Sequence, residues 1–77
     1  MLDENIVECF NNIGVLVDAN LENFSLSDYI TDSLSFVSLI VEIEEKFNIE
    51  IPDDYLSYDA LETYADIENM LVKLSSL

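Results

Sequence analysis

Apolar residues recur at helical spacing in three stretches of this chain, separated by segments without a sustained period. In the first stretch, Ile6, Cys9, Phe10, Ile13 and Val17 follow Asp3, whose short carboxylate suits a helix N-cap. The pattern fades near Gly14 to Asp18. From Asp18 to Thr31, the apolar residues Leu21, Phe24, Leu26, Tyr29 and Ile30 stand irregularly among Asn, Ser and Asp. This predicts a long loop held to a core by those anchors, and a loop of that length in a small domain usually has a function.

The second stretch carries the strongest signal. Asp32 or Ser33 makes a good N-cap, and no Gly or Pro follows until Pro52. Phe36, Leu39, Ile40, Ile43 and Phe47 form one apolar face, with Ser35, Ser38, Glu42 and Glu45 opposite. A mixed flank of Leu34, Val37, Val41 and Glu44 widens the apolar surface, so this helix either fills a core from two sides or meets a partner. Asn48 to Ile51 ends it. Pro52, Asp53 and Asp54 read as the first turn of a short third helix, with Tyr55, Leu56 and Tyr58 as its packing face. Thr63 then caps a last helix, with Asp66 in the place of the capping-box acid. Tyr64, Ile67, Leu71 and Leu74 form its inner stripe, Met70 lies beside it, and Ser75 to Leu77 is expected to fray.

These elements predict an all-α fold, a four-helix bundle of three longer helices and one short one. The expected core includes Phe10, Ile13, Phe36, Ile40, Ile43, Phe47, Ile67 and Leu71. A chain of 77 residues is one domain, spanning 1–77, and its 51% hydrophobic content is enough for a core and too high for disorder. A single Gly and a single Pro argue against a turn-rich β fold.

Charge narrows the partners. Seventeen acids face two bases, Lys46 and Lys73, for a net charge of -15. Nucleic acid and anionic membrane surfaces need a basic footprint and are excluded on that ground. A basic protein surface is the natural complement. No apolar run approaches the roughly 18 residues that span a bilayer, and acids stand where a signal peptide carries bases, so a cytoplasmic protein is expected.

The residue inventory also restricts chemistry. Without His there is no usual general base, no Ser–His or Cys–His dyad and no ordinary zinc site. One Gly rules out a glycine-rich phosphate loop. A calcium loop from Asp18, Asn20 and Glu22 fails, because Asn23 stands where Gly is needed and Tyr29 where the bidentate Glu is needed. Cys9 lies on an inner stripe and reads as a small buried hydrophobe. The chain is therefore expected not to be an enzyme; a site built from paired carboxylates is remote. Either it binds, as an unmodified acidic helical adaptor would, or it acquires its chemistry by modification.

The run Asp32 to Asp54, DSLSFVSLIVEIEEKFNIEIPDD, resembles the acyl and peptidyl carrier proteins. The three letters DSL are weak alone. Opening an apolar-periodic helix, and followed at the expected distance by EE, an aromatic and IEIPDD, they are far more specific. The resemblance implies that Ser33, flanked by Asp32 and Leu34, carries phosphopantetheine from coenzyme A through a phosphodiester. The arm's thiol would supply the nucleophile that the sequence lacks. The resemblance further implies that partners dock on Leu34, Val37, Val41, Glu44 and Glu45, with Ile51 near the arm or the partner. Those partners would be a phosphopantetheinyl transferase, an adenylating or acyltransferase loading enzyme, and condensing or processing enzymes, all acting on a monomeric carrier. The chain departs from the fatty-acid carriers at Ile30, where they have Gly, at Ser35 and Ser38, where they have acids, and at the bulkier Phe36. These departures lean toward a dedicated polyketide or nonribosomal-peptide-type pathway, with a fatty-acid-synthesis carrier as the alternative.

Overall fold

Short polar side chains ahead of each apolar stretch, Asp3, Asp32 and Thr63, act as helix starts. In the computed structural model, which describes residues 1–57 and 59–75, the α-helices are α1 (Glu4–Asn12), α2 (Ser33–Phe47) and α3 (Tyr64–Ser75). Asp3 Oδ1 accepts the N–H of Asn5 at 2.8 Å and of Ile6 at 3.4 Å, satisfying donors that a helix start leaves open. At α3, Asp66 N–H donates to Thr63 Oγ1 (3.3 Å) and Thr63 N–H donates back to Asp66 Oδ2 (3.1 Å), a reciprocal capping box with Asp as its acid.

Helix α2 ends at Asn48, whose φ of 54° is left-handed, a conformation that Asn tolerates better than most residues. Its N–H and that of Ile49 both donate to the Glu44 carbonyl. The short third helix expected after Pro52 is a single 3-10 turn, Asp53–Tyr55, with Pro52 just before it. Of its expected packing face, Tyr55 is half-buried and Leu56 is exposed, while Tyr58 lies outside the described residues, as do Ser76 and Leu77 of the expected fray. A second 3-10 turn, Leu26–Asp28, interrupts the long loop.

Glu8 and Asn12 of α1 reach back along α2, to Lys46 (2.8 Å) and Glu42 (3.1 Å), so the two helices pack antiparallel. The loop between them is stitched to the start of α3 by an isolated antiparallel bridge, Ser25 to Thr63. Leu26 N–H donates to the Glu62 carbonyl (2.8 Å), Tyr64 N–H to the Phe24 carbonyl (3.0 Å), and Ala65 N–H to Asn23 Oδ1 (2.9 Å). Phe24 is the hub under this seam. Its ring meets Phe10 and Tyr29 edge-on, at 5.6 and 4.9 Å, and tilts against Tyr64 at 5.6 Å.

The expected core is present with three exceptions. Phe10, Phe36, Ile40, Ile43 and Ile67 are buried, as are the loop anchors Phe24, Leu26 and Ile30. Ile13, Phe47 and Leu71 are only half-buried, and Met70 rather than Leu71 joins Tyr64 and Ile67 as a buried residue of α3. Leu2 and Leu61, just outside the helices, complete the core.

Candidate functional site

Ser33 is the first residue of α2 and is exposed. Its neighbour Asp32 is the cap: the Asp32 carboxylate accepts the Ser35 N–H at 2.6 Å. The Ser35 amide and hydroxyl, with a smaller contribution from the Leu34 amide, hold Asp32 below the usual carboxylate pKa. Capping thus falls to Asp32 and leaves the Ser33 side chain at the surface. Lys46 and Lys73 lie in the last turns of α2 and α3. Ser33 is therefore an accessible hydroxyl at a helix start, with neither lysine of the chain in its own turn.

Leu34, Val37 and Val41 are 80%, 54% and 45% exposed. At this spacing they form one apolar stripe beginning beside Ser33, about 10 Å long at ~1.5 Å per residue. A shallow groove lined by Asn12, Ile13, Val37, Ser38, Val41 and Glu42 runs along it. The contribution of α1 to this groove has no local signal in the sequence.

The remaining candidates are in different settings. Glu45 is exposed. Glu44 is half-buried, and its Oε2 accepts the Ile51 N–H at 2.9 Å, which ties the helix exit back to the helix. Ile51 is 5% exposed and belongs to the core, so its side chain is not part of the exposed stripe.

Cys9 is fully buried, and that burial, with nearby Glu42, pushes its thiol pKa up to about 11. It is unsuited to act as a nucleophile. Among the described residues, no group of three or more His, Cys, Asp or Glu is placed to hold a metal ion, and no helix is long and apolar enough to cross a membrane.

Comparison with known proteins agrees with this geometry. The family described as "Phosphopantetheine attachment site" matches residues 11–71. Proteins named acyl carrier protein are similar over shorter stretches. That of Campylobacter curvus is 39% identical over 54 residues, covering 70% of this chain and 68% of the relative. That of Zymomonas mobilis is 46% identical over 44 residues, covering 56% of each chain. That of Guillardia theta is 55% identical over 40 residues, covering 52% of this chain and 44% of the relative. The matched segments thus span from under half to about two thirds of these relatives. No solved structure matches the chain significantly. The family match takes in Asp32, Ser33 and Leu34 and all of α2, and the chain belongs to the acyl carrier protein, or phosphopantetheine-binding, family.

Proposed function

We propose that this protein is an acyl carrier that holds biosynthetic intermediates on a phosphopantetheine arm attached to Ser33 and delivers them to partner enzymes. The observation that carries the reading is the exposed Ser33 hydroxyl at the start of α2, with Asp32 taking over the cap. In the attachment step the Ser33 oxygen loses its proton and forms a phosphodiester to phosphopantetheine, and the nucleotide part of coenzyme A leaves. The attached group supplies a thiol, which carries cargo as a thioester. The chain's own residues do the rest: Asp32 fixes the helix start that presents Ser33, and the Leu34, Val37 and Val41 stripe gives partners an apolar landing beside it. Glu45 adds a charge that attracts basic surfaces. The transferase, the loading enzyme and the condensing or processing enzymes visit this face in turn, and a monomeric, cytoplasmic carrier is the form proposed.

The finer reading is a dedicated polyketide or nonribosomal-peptide-type pathway. It is supported by Ser35 and Ser38, where fatty-acid carriers have acids, and by Ile30, a core residue where they have Gly. A fatty-acid-synthesis carrier is the second reading, favoured by the relatives' shared name of acyl carrier protein, which supports acyl rather than aminoacyl cargo.

The test is intact mass after incubation with coenzyme A and a phosphopantetheinyl transferase. Wild type should gain one phosphopantetheine and Ser33→Ala none. Modification that persists in Ser33→Ala, or fails in wild type with several transferases, overturns the assignment.

A further inference from the structure

A second apolar groove lies far from Ser33. It is floored by Ile6 and walled by Phe47, Ile49, Leu71 and Val72. Ile6 is buried, Phe47, Ile49 and Leu71 are half-buried, and Val72 is 67% exposed. Phe47 and Leu71 are two of the residues that helical periodicity assigns to the core. The chain leaves them at an open groove instead, and such local conflicts between pattern and fold tend to mark functional surfaces. The groove holds about 270 Å³. That is room for an apolar side-chain anchor.

Charge selects the occupant. Asp3, which also caps α1, and the exposed Glu68 line the groove, together with Phe47 and Ser75 from the last turns of α2 and α3. Lys73 is in the last turn of α3 but does not line the groove. A net charge of -15 repels a second copy of the chain and an anionic bilayer alike. We propose that this groove is a second docking surface, which takes an apolar side chain from a cationic amphipathic helix of a partner protein. Phe47 is 14 positions beyond Ser33 on α2, about 21 Å at ~1.5 Å per residue. A partner seated there leaves Ser33 and the Leu34 to Val41 stripe uncovered, so the protein can be held at one pole while the other is visited. The inference does not depend on what Ser33 carries.

The experiment is an NMR titration of the isotope-labelled chain with a short amphipathic helical peptide of leucine and lysine, with a leucine and glutamate peptide as control. Backbone amides of Ile6, Phe47, Ile49, Leu71 and Val72 should shift with the cationic peptide only. Val72→Asp, at an exposed position, should weaken that binding by about tenfold or more, whereas Val41→Asp should leave the groove shifts intact. Glu68→Lys is the second variant and should also weaken binding, so the outcome stands even if Val72→Asp fails to fold. Phosphopantetheine loading of Val72→Asp should match wild type. Shifts confined to Leu34 through Val41, or binding indifferent to both groove variants, overturn the proposal. So do groove shifts that follow protein concentration alone, which identify a second copy, or acylation alone, which identify the chain's own cargo.

Discussion

Tyr64 offers the sharpest test of how the bundle closes. Its ring is buried beside Phe24, and its hydroxyl joins two helix starts: Asp3 N–H donates to it at 2.6 Å, and it donates to Glu68 at 3.3 Å. Tyr64→Phe keeps the ring and removes only the hydroxyl. The Asp3 amide is partly buried, so water replaces the lost partner incompletely. A neutral hydrogen bond of this kind contributes about 0.5–1.5 kcal/mol net, and ~1 kcal/mol lowers the melting midpoint of a domain this size by about 4–8 °C. Tyr64→Ala also opens a cavity next to Phe24 and should cost about 3–5 kcal/mol. That is a large part of the roughly 4–12 kcal/mol available to 77 residues. Urea and thermal unfolding followed by far-UV circular dichroism, at fixed salt, measure both. Tyr29→Phe is the control, since it preserves the edge-on contact with Phe24. If Tyr64→Phe melts with wild type, the link between Asp3 and α3 contributes nothing and the reasoning fails.

Three further outcomes are expected. Burial raises the pKa of Cys9 to about 11 from 9.0, and raises that of Tyr64 as well, so the unfolded chain loses these protons at lower pH than the folded one. The associated stability is present below pH 9.0 and declines as pH rises toward 11, seen as a falling urea midpoint, while the native thiol resists an alkylating reagent. Glu44→Ala removes the acceptor of the Ile51 N–H and should destabilise by about 1 kcal/mol, whereas Glu45→Ala should leave the melting midpoint almost unchanged. In stopped-flow binding to the transferase, Glu45→Lys should slow association and Val41→Asp should speed dissociation; association insensitive to both salt and Glu45→Lys would remove α2 as the docking surface.

The features legible in the sequence are those whose signal is local. Asp3, Asp32 and the Thr63 and Asp66 pair each stand a few residues from the amides they accept, so a reader of the chain sees cap and helix together. The place of Ser33 at a helix start is legible in the same way, through the run that follows it. Asn23, by contrast, accepts the Ala65 N–H across 42 residues, and the Ser25 to Thr63 bridge spans a similar separation. Neither leaves a period in the sequence. The short helix after Pro52 is legible, but its 3-10 form is not: proline ahead of two acids suits the start of an α-helix or of a 3-10 turn equally, and only the later residues decide. Periodicity also names a face without saying how far it is covered. Phe47 lies on the correct face of α2 but in its last turn, where it forms a groove wall instead of being enclosed.

The acids of α2 show how structure divides residues that look alike in the sequence. Asp32 takes the Ser35 amide, Glu42 accepts from Asn12 Nδ2, and Glu44 takes the Ile51 amide. Each of these carboxylates has its geometry set by the fold, and a partner's lysine or arginine that engages one competes with an intramolecular bond. Glu45 stands exposed, one turn beyond Val41, at the end of the stripe that begins with Leu34. With serines at 35 and 38, the first half of α2 has Asp32 as its acid, and that acid is committed to the cap. On the proposed docking face, recognition near Ser33 would therefore rest on Leu34, Val37 and Val41, with charge acting mainly as the long-range field of a chain carrying -15. A field of that kind raises the encounter rate with many basic surfaces and discriminates poorly among them. On that proposal, discrimination between successive partners would fall to the fit of three apolar side chains and the shallow groove that Asn12 and Ile13 build beside them.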